Sequence, residues 1–356
     1  MSAGRHISED RLIGILVKHK KWLSSRQTAG ARGDLSHMCL KSLDLPGVEL
    51  QKANLKDVDL EGANLKGAKL QSANLEGAKL RGANLELSDL EMGNLERADL
   101  VGARLSKAGL AWVNLRNAAL EGACFSGAEL VAANLEEARC ENADFSGARL
   151  TMSNFKRANA SGSDLSKAQL RSSDMKGGLF QGARLHGANV KGADMRGADF
   201  RHADVSDIQY NRRGRYRGMA IEGCYGSPRF VSFAQRQGFI EGFRSSWWRF
   251  PLYIPWLLLV DCGRSWLLWS AWAIGFPVLF GLKFFVLGPD AFALLDRPWT
   301  IGSMIYTSTV NFFTLGFVHL RPYTENASWW IMAETVVAYA MLLALLSIPV
   351  VRMKRP

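Results

Sequence analysis

The sequence has few of the residues from which catalytic and metal sites are usually built. Its 356 residues include only 5 cysteines and 6 histidines. The cysteines form no Cys-x-x-Cys pair and have no histidine at metal-binding spacing. We find no phosphate-binding glycine loop and no nucleophile paired with a base. We therefore expect no disulfides, no metal or other cofactor, no enzymatic activity and a reducing compartment.

Long apolar runs are absent before about residue 245 and abundant after it. Residues 1–34 carry charges where a secretory signal would need an apolar stretch, so we expect no signal peptide. The first part is polar and rich in Ala, Gly and Asn, whereas the second is rich in Trp, Phe, Leu and Val. This division argues against an ordinary soluble enzyme with a single core.

An apolar residue recurs at every fifth position from Leu35 to Val205, and a small residue, usually Ala, stands two positions before it. A period of five fits neither an α-helix nor a β-strand. The alternative of a long amphipathic helix is disfavoured by the frequent Gly and Asn residues.

Residues 35–210 thereby resemble the pentapeptide-repeat family. The resemblance implies a right-handed quadrilateral β-helix, a pentapeptide-repeat solenoid with twenty residues per coil. The central and small residues would point inward. Residues twenty apart should then stack, and one such column is a run of amides that can hydrogen-bond along the axis: Asn54, Asn74, Asn94, Asn114, Asn134 and Asn154.

A neighbouring column on an outward corner is apolar, with Met92, Trp112, Ala132 and Met152. We interpret Met92, Trp112 and Met152 as a contact with another subunit or partner. The alternative is that these are scattered exposed side chains without a function.

Residues 1–34 are predicted to form an N-terminal capping helix and leader, because solenoid ends need covering. Ser8, Glu9 and Asp10 are typical of a helix start. We expect the apolar side of this helix to consist of Ile13, Leu16, Val17 and Leu23.

The repeat segment is electrically balanced, with 21 basic and 21 acidic residues between positions 45 and 205. The resemblance includes acidic, DNA-like members that bind topoisomerases. A neutral surface makes a topoisomerase-directed inhibitor a weaker alternative here. Whether the segment binds an unknown cytoplasmic partner stays open.

Residues 211–264 form a basic linker with nine arginines from Arg212 to Arg264 and three acidic residues. The linker directly precedes the apolar part, so we favour anionic lipid headgroups over nucleic acid as its partner. Within it, 227–244 is predicted to be an amphipathic surface helix. The aromatic stretch 247–260 is predicted to lie at the membrane interface.

Two apolar segments are long enough to cross a bilayer, Trp266 to Leu287 and Trp329 to Val351. Basic residues precede the first and follow the second. The positive-inside rule then places both termini and the repeat segment in the cytoplasm. We expect a multi-pass protein of the bacterial inner membrane.

Between these spans, residues 298–322 are apolar but too short to cross, which is typical of a re-entrant segment. The order of span, short helix (299–313), Thr-Leu-Gly-Phe, Pro and span resembles the two-transmembrane-helix pore-loop, potassium-channel-like ion channels. The resemblance covers the α-helical membrane domain 265–356. It implies a homotetramer in which Thr314, Leu315, Gly316 and Phe317 present carbonyls to a monovalent cation.

Two residues differ from the pore-loop pattern, and a third notable residue lies outside that pattern, in the second span. Val318 replaces a glycine of the selectivity filter, and His319 replaces an acid at the pore mouth. We therefore expect weak or altered potassium selectivity, and pH sensitivity through His319. Glu334, a polar residue inside the second span, is expected either to be hydrogen-bonded behind the short helix or to face a polar cavity. The main alternative to a channel is a non-conducting, membrane-anchored scaffold.

Overall fold

In a computed structural model, the structure describes residues 5–6, 8–245, 266–294, 298–314 and 320–353. The chain divides into two compact units, Met1–Glu241 and Gly242–Pro356. The elements are β1 (Arg5–His6), α1 (Glu9–Ser24), β2 (Met38–Cys39), α2 (Pro228–Ser245), α3 (Trp266–Leu287), β3 (Phe292–Leu294), α4 (Ile301–Thr314), β4 (Leu320–Pro322) and α5 (Glu325–Met353).

The first unit is a β-helix in which each coil pairs in parallel with the next. Bridges join residues twenty apart, from Asp34 with Asn54 through Asn189 with Gln209. Each central residue donates its N–H to the following coil, as Leu75 does to the carbonyl of Asn94 at 2.7 Å. These bonds satisfy the backbone without long strands. The predicted twenty-residue coil is confirmed.

The core of the β-helix consists of the central and small residues that the five-residue period selects. Nearly all of them are fully buried. Phenylalanines stack where the central position repeats on adjacent coils, with ring centroids 4.9 Å apart for Phe125 and Phe145. Serine replaces Ala at a few small positions, and Ser88 satisfies its buried hydroxyl by donating to the carbonyl of Leu85 at 2.7 Å.

The predicted asparagine column is a continuous hydrogen-bonded ladder. Each side-chain amide donates to the amide oxygen one coil earlier, over 3.4, 3.2, 3.0, 3.1 and 3.0 Å from Asn74 to Asn154. Each oxygen from Asn54 onward also accepts the backbone N–H two residues later. The ladder therefore joins coils and closes turns with the same side chains.

The β-helix continues beyond residue 210, where the sequence pattern fades. The last bridges join residues 21 apart, from Asp194 with Arg215 to Asp204 with Tyr225. One inserted residue therefore shifts the five-residue repeat by one position, and the β-helix continues. Tyr216 enters the core, and its hydroxyl donates to the carbonyl of Asn211 at 2.9 Å.

Helix α2 covers this end of the β-helix. Phe230, Val231 and Ala234 are buried against the last coils. The carboxylate of Glu241 accepts the backbone N–H groups of Tyr216 and Arg217 at 3.0 and 3.1 Å. The predicted helix 227–244 is present, but the apolar side of α2 packs on protein.

Helix α1 lies at the other end, and the prediction of its apolar face was wrong in part. Ile13 and Val17 are exposed, whereas Leu12 and His19 are buried. Residues 12 and 19 share one helical stripe, and residues 13 and 17 lie beside it. His19 is tolerated there because its Nδ1 accepts the N–H of Gly33 at 2.9 Å.

Candidate functional site

Within residues 266–353 of the second unit, as far as the structure describes them, a short helix lies between two long ones. Helix α4 has 14 residues, α3 has 22 and α5 has 29. At 1.5 Å per residue, their lengths are about 21, 33 and 44 Å. A bilayer core is about 30 Å thick, so α4 is too short to cross one, whereas α3 and α5 are long enough. Among the described residues, one helix is both long and apolar enough to do so, Leu267–Leu287.

Helix α4 packs closely against α3. A Cβ on Gly281 would lie 2.5 Å from the Cα of Ile305, so only glycine allows this approach. Phe312, near the end of α4, is buried with Ala273 of α3 and with Ala338 and Met341 of α5. The three helices therefore share a core.

A buried polar cluster fixes α4 to α5. The side chain of Glu334 is fully buried. One of its oxygens accepts a hydrogen bond from the Ser308 hydroxyl, and the other accepts one from the Asn311 amide. A buried carboxylate needs such donors. Of the two alternatives for Glu334, these contacts fit hydrogen bonding behind the short helix.

The sequence analysis did not single out Ser308 and Asn311. A signal was present, since they are three residues apart and therefore share one face of an otherwise apolar helix. Asn311 keeps its Oδ1 buried with no partner among the described residues. One buried hydrogen-bond acceptor close to the end of α4 therefore has no donor among the described residues.

The predicted filter begins where α4 ends. Thr314 is the last residue of α4, and its hydroxyl donates to the carbonyl of Val310 at 2.6 Å. Leu315, Gly316, Phe317, Val318 and His319 lie outside the described residues. The chain is next described at β4, which pairs antiparallel with β3, with Leu294 opposite Leu320.

Helix α5 has a second apolar face that is exposed within the single chain. Five side chains on it are between 49 and 68 % exposed: Met332, Val336, Tyr339, Leu343 and Leu346. Their spacing of four, three, four and three is that of a helix–helix seam. An apolar stripe of this kind needs lipid or another subunit against it.

The apolar corner of the β-helix is exposed as predicted from its outward position. Met92, Trp112 and Met152 are 60, 60 and 55 % exposed. Each occupies the second corner residue of its turn, with a φ between +56° and +60°. The three side chains stand in one line along the axis, separated by whole coils. Nothing in the described residues assigns them a partner.

The basic linker has its described arginines on the surface. Arg212, Arg213, Arg215 and Arg217 on the last coil are exposed, as are Arg229 and Arg236 on α2. The aromatic stretch 247–260 lies outside the described residues. Among the described residues, no group of three or more His, Cys, Asp or Glu side chains could hold a metal ion.

Comparison with family models gives a match for the β-helix. The model of pentapeptide repeats matches eight copies within residues 34–209, in segments 34–67, 49–91, 68–106, 114–151, 138–177 and 179–209. Residues 34–209 are a pentapeptide-repeat domain. The family prediction made from the five-residue period is therefore confirmed for this part of the chain.

Several solved structures are similar to the pentapeptide-repeat domain. HetL, a pentapeptide repeat protein involved in heterocyst differentiation regulation from the cyanobacterium Nostoc sp. strain PCC 7120, is 28 % identical. The match covers 55 % of this chain and 90 % of that one, with a TM-score of 0.29. QnrB1, a plasmid-mediated fluoroquinolone resistance protein, is 18 % identical over 55 % of this chain and 94 % of its own, also with a TM-score of 0.29. No curated protein matches the chain.

Proposed function

We propose that the chain is one subunit of a homotetrameric cation channel in the bacterial inner membrane. The pore domain is residues 265–356, with α3 and α5 as its two spans. The pentapeptide-repeat domain lies in the cytoplasm. Ions pass through a filter formed by Thr314, Leu315, Gly316 and Phe317, followed by Val318 and His319 at the mouth.

The observation that carries the proposal is the position of α4. A helix of 14 residues packs between two long apolar helices and ends at the first residue of a Thr-Leu-Gly-Phe run. Backbone at membrane depth is tolerated only where it is buried in protein or lines a cavity. The carbonyl end of α4 carries a partial negative charge, which favours a cation beyond it.

The polar cluster at Glu334 supports the same assignment. A filter loop must be held in place by its supporting helix, because its carbonyls replace the hydration shell of the ion. Ser308 and Asn311 bind α4 to α5 through Glu334 only three to six residues before Thr314. Glu334 is thus a positioning residue and not an ion ligand.

The exposed stripe of α5 supports the tetramer. One chain supplies one filter strand, so a closed ring requires several copies around an axis. The stripe from Met332 to Leu346 presents large apolar side chains along one face of α5. In a ring it would pack between subunits and line the inner cavity.

The proposal extends to lipid contacts and to selectivity. The exposed arginines of the linker would contact anionic headgroups at the cytoplasmic face. Val318 lacks the conformational freedom of the glycine that it replaces, so the outermost ion site would be altered. Potassium selectivity would then be weak.

A non-conducting scaffold anchored by the same helices is the second candidate, and the substitutions at Val318 and His319 favour it. Cation flux from proteoliposomes separates the two. Flux that is lost in Gly316→Asp would support the channel. Folded tetramers that pass no cation under any ionic gradient, membrane potential or pH applied would favour the scaffold.

A further inference from the structure

We propose that the apolar corner of the pentapeptide-repeat domain binds the same corner of a second copy of this chain, with the two β-helices side by side and oppositely directed. The corner comprises Met92, Trp112, Ala132 and Met152. This inference goes beyond the proposed channel and rests on it in one respect, that assembly in the membrane holds the copies near one another.

The sizes of the four side chains fit an antiparallel pairing. A two-fold axis halfway between Trp112 and Ala132 places Trp112 of one copy opposite Ala132 of the other. The same axis places Met92 opposite Met152 at both ends of the contact. The largest side chain thus meets the smallest. In a parallel pairing two tryptophans would collide, and two alanines would leave a gap.

The polar residues around the corner fit the same axis. Ser72 and Ser172, one coil beyond each methionine, would end the apolar contact symmetrically. On one flank, Asp89 would face Arg149 of the other copy. In its own chain Arg149 already bonds to Glu129 at 2.9 Å, so Asp89 would complete its set of acceptors.

The other flank is also self-complementary. The asparagine ladder comes first and would face itself. Beyond it lies a column of charged residues: Glu96, Arg116, Glu136 and Lys156. When the second copy is antiparallel, each of these side chains lies opposite one of opposite charge, with Glu96 opposite Lys156 and Arg116 opposite Glu136. Rim charges of this kind set register and exclude wrong partners more than they add affinity. They therefore support one occupant, another copy of the same chain.

The backbone does not require bulky residues at this corner. Trp112 has a φ of +60°, and glycine occupies the equivalent corner positions at 102 and 122 with nearly the same φ. Glycine adopts this conformation without a steric penalty. The apolar side chains at 92, 112 and 152 therefore need an explanation outside the local fold, and the contact provides one.

The contact is small, since the corner extends over three coil spacings, about 14 Å at 4.8 Å per coil. Interfaces of this size are weak between free proteins. They form when copies are already held near one another. A two-fold contact is also closed, so it pairs β-helices without building filaments.

Disulfide trapping in the full-length chain tests this geometry. Two differently tagged copies are co-expressed, one carrying Met92→Cys and the other Met152→Cys, and mildly oxidised in the membrane. In the antiparallel contact the cysteine at position 92 of one chain meets the cysteine at position 152 of the other. Cysteines at position 92 of both chains would be about 14 Å apart. A disulfide needs Cβ atoms about 4 Å apart. We expect the mixed pair to cross-link and the 92–92 pair to give only the background of the native cysteines.

Lys107→Cys with Lys167→Cys is the matched control, because these positions are also exposed corners three coils apart with φ of +57° and +59°. Adding Trp112→Ala should lower the mixed cross-link roughly tenfold, the loss expected for an interface anchor worth about 1.4 kcal/mol. A dominant 92–92 product would overturn the antiparallel arrangement. A mixed yield no higher than that of the lysine control would overturn the contact itself.

Discussion

Replacing Glu334 should release α4 from α5. In Glu334→Leu, two hydrogen bonds are lost, and the Ser308 hydroxyl and the Asn311 amide are left buried without their acceptor. Each buried donor that loses its acceptor costs about 1 kcal/mol or more. We expect a total loss of about 2 kcal/mol.

A loss of that size changes the equilibrium between packed and displaced α4 by about 30-fold. Amide hydrogen exchange over residues 301–314 of the purified full-length protein reports this directly. We expect faster exchange in α4 and unchanged exchange in the pentapeptide-repeat domain, whose ladder bonds do not involve Glu334.

Two variants control the experiment. Glu334→Gln can accept from Asn311 and donate to the Ser308 hydroxyl, so it should keep most of the protection. Glu325→Gln removes a carboxylate from the exposed first turn of the same helix and should have no effect. If Glu334→Leu exchanges as slowly as the parent, the cluster does not hold α4 and the reasoning fails.

Three further predictions concern the packing of each unit. Asn114→Ala removes two hydrogen bonds of the asparagine ladder and should lower the free energy of unfolding of the repeat domain by about 1–3 kcal/mol, measured with denaturant. Glu129→Ala removes only an exposed ion pair and should change that free energy by less than about 1 kcal/mol. Gly281→Ala drives a methyl group into the α4 backbone and should lower the thermal stability of the second unit, unlike Gly275→Ala, which meets open space. Burial lowers the pKa of His19 below its ordinary 6.5, so the docking of α1 is stable above pH 6.5 and weakens as the pH falls below it. Proteolysis of α1 should therefore be faster at pH 5 than at pH 7.5, and this difference should disappear in His19→Gln. Equal proteolysis rates at the two pH values in the parent would contradict the role of His19.

The sequence predicts the β-helix well because its period leaves little choice. Leu75 and Ala73 must both face inward, and Asn74 then has to stand above Asn54. The inserted residue after 205 could not be predicted, because it shifts the five-residue phase, and Tyr216 is a core residue of unusual size. The face of α1 depends on His19, whose burial follows from a tertiary hydrogen bond to Gly33.

The second unit is less predictable from the sequence. The positions of the helices follow from apolar length, and the structure has helices over both expected spans and over the short segment. The partners of Glu334 do not follow, because they depend on how α4 is rotated against α5. Serine and asparagine three residues apart indicate a polar face but not what it contacts.

The current carried by reconstituted full-length protein tests the central claim most directly. Planar bilayers with potassium on one side and sodium on the other give both the conductance and, from the reversal potential, the selectivity. The account predicts a cation current that Gly316→Asp abolishes, with a reversal potential closer to zero than that of a potassium-selective pore. A current that persists unchanged in Gly316→Asp would contradict the assignment of the pore to this loop.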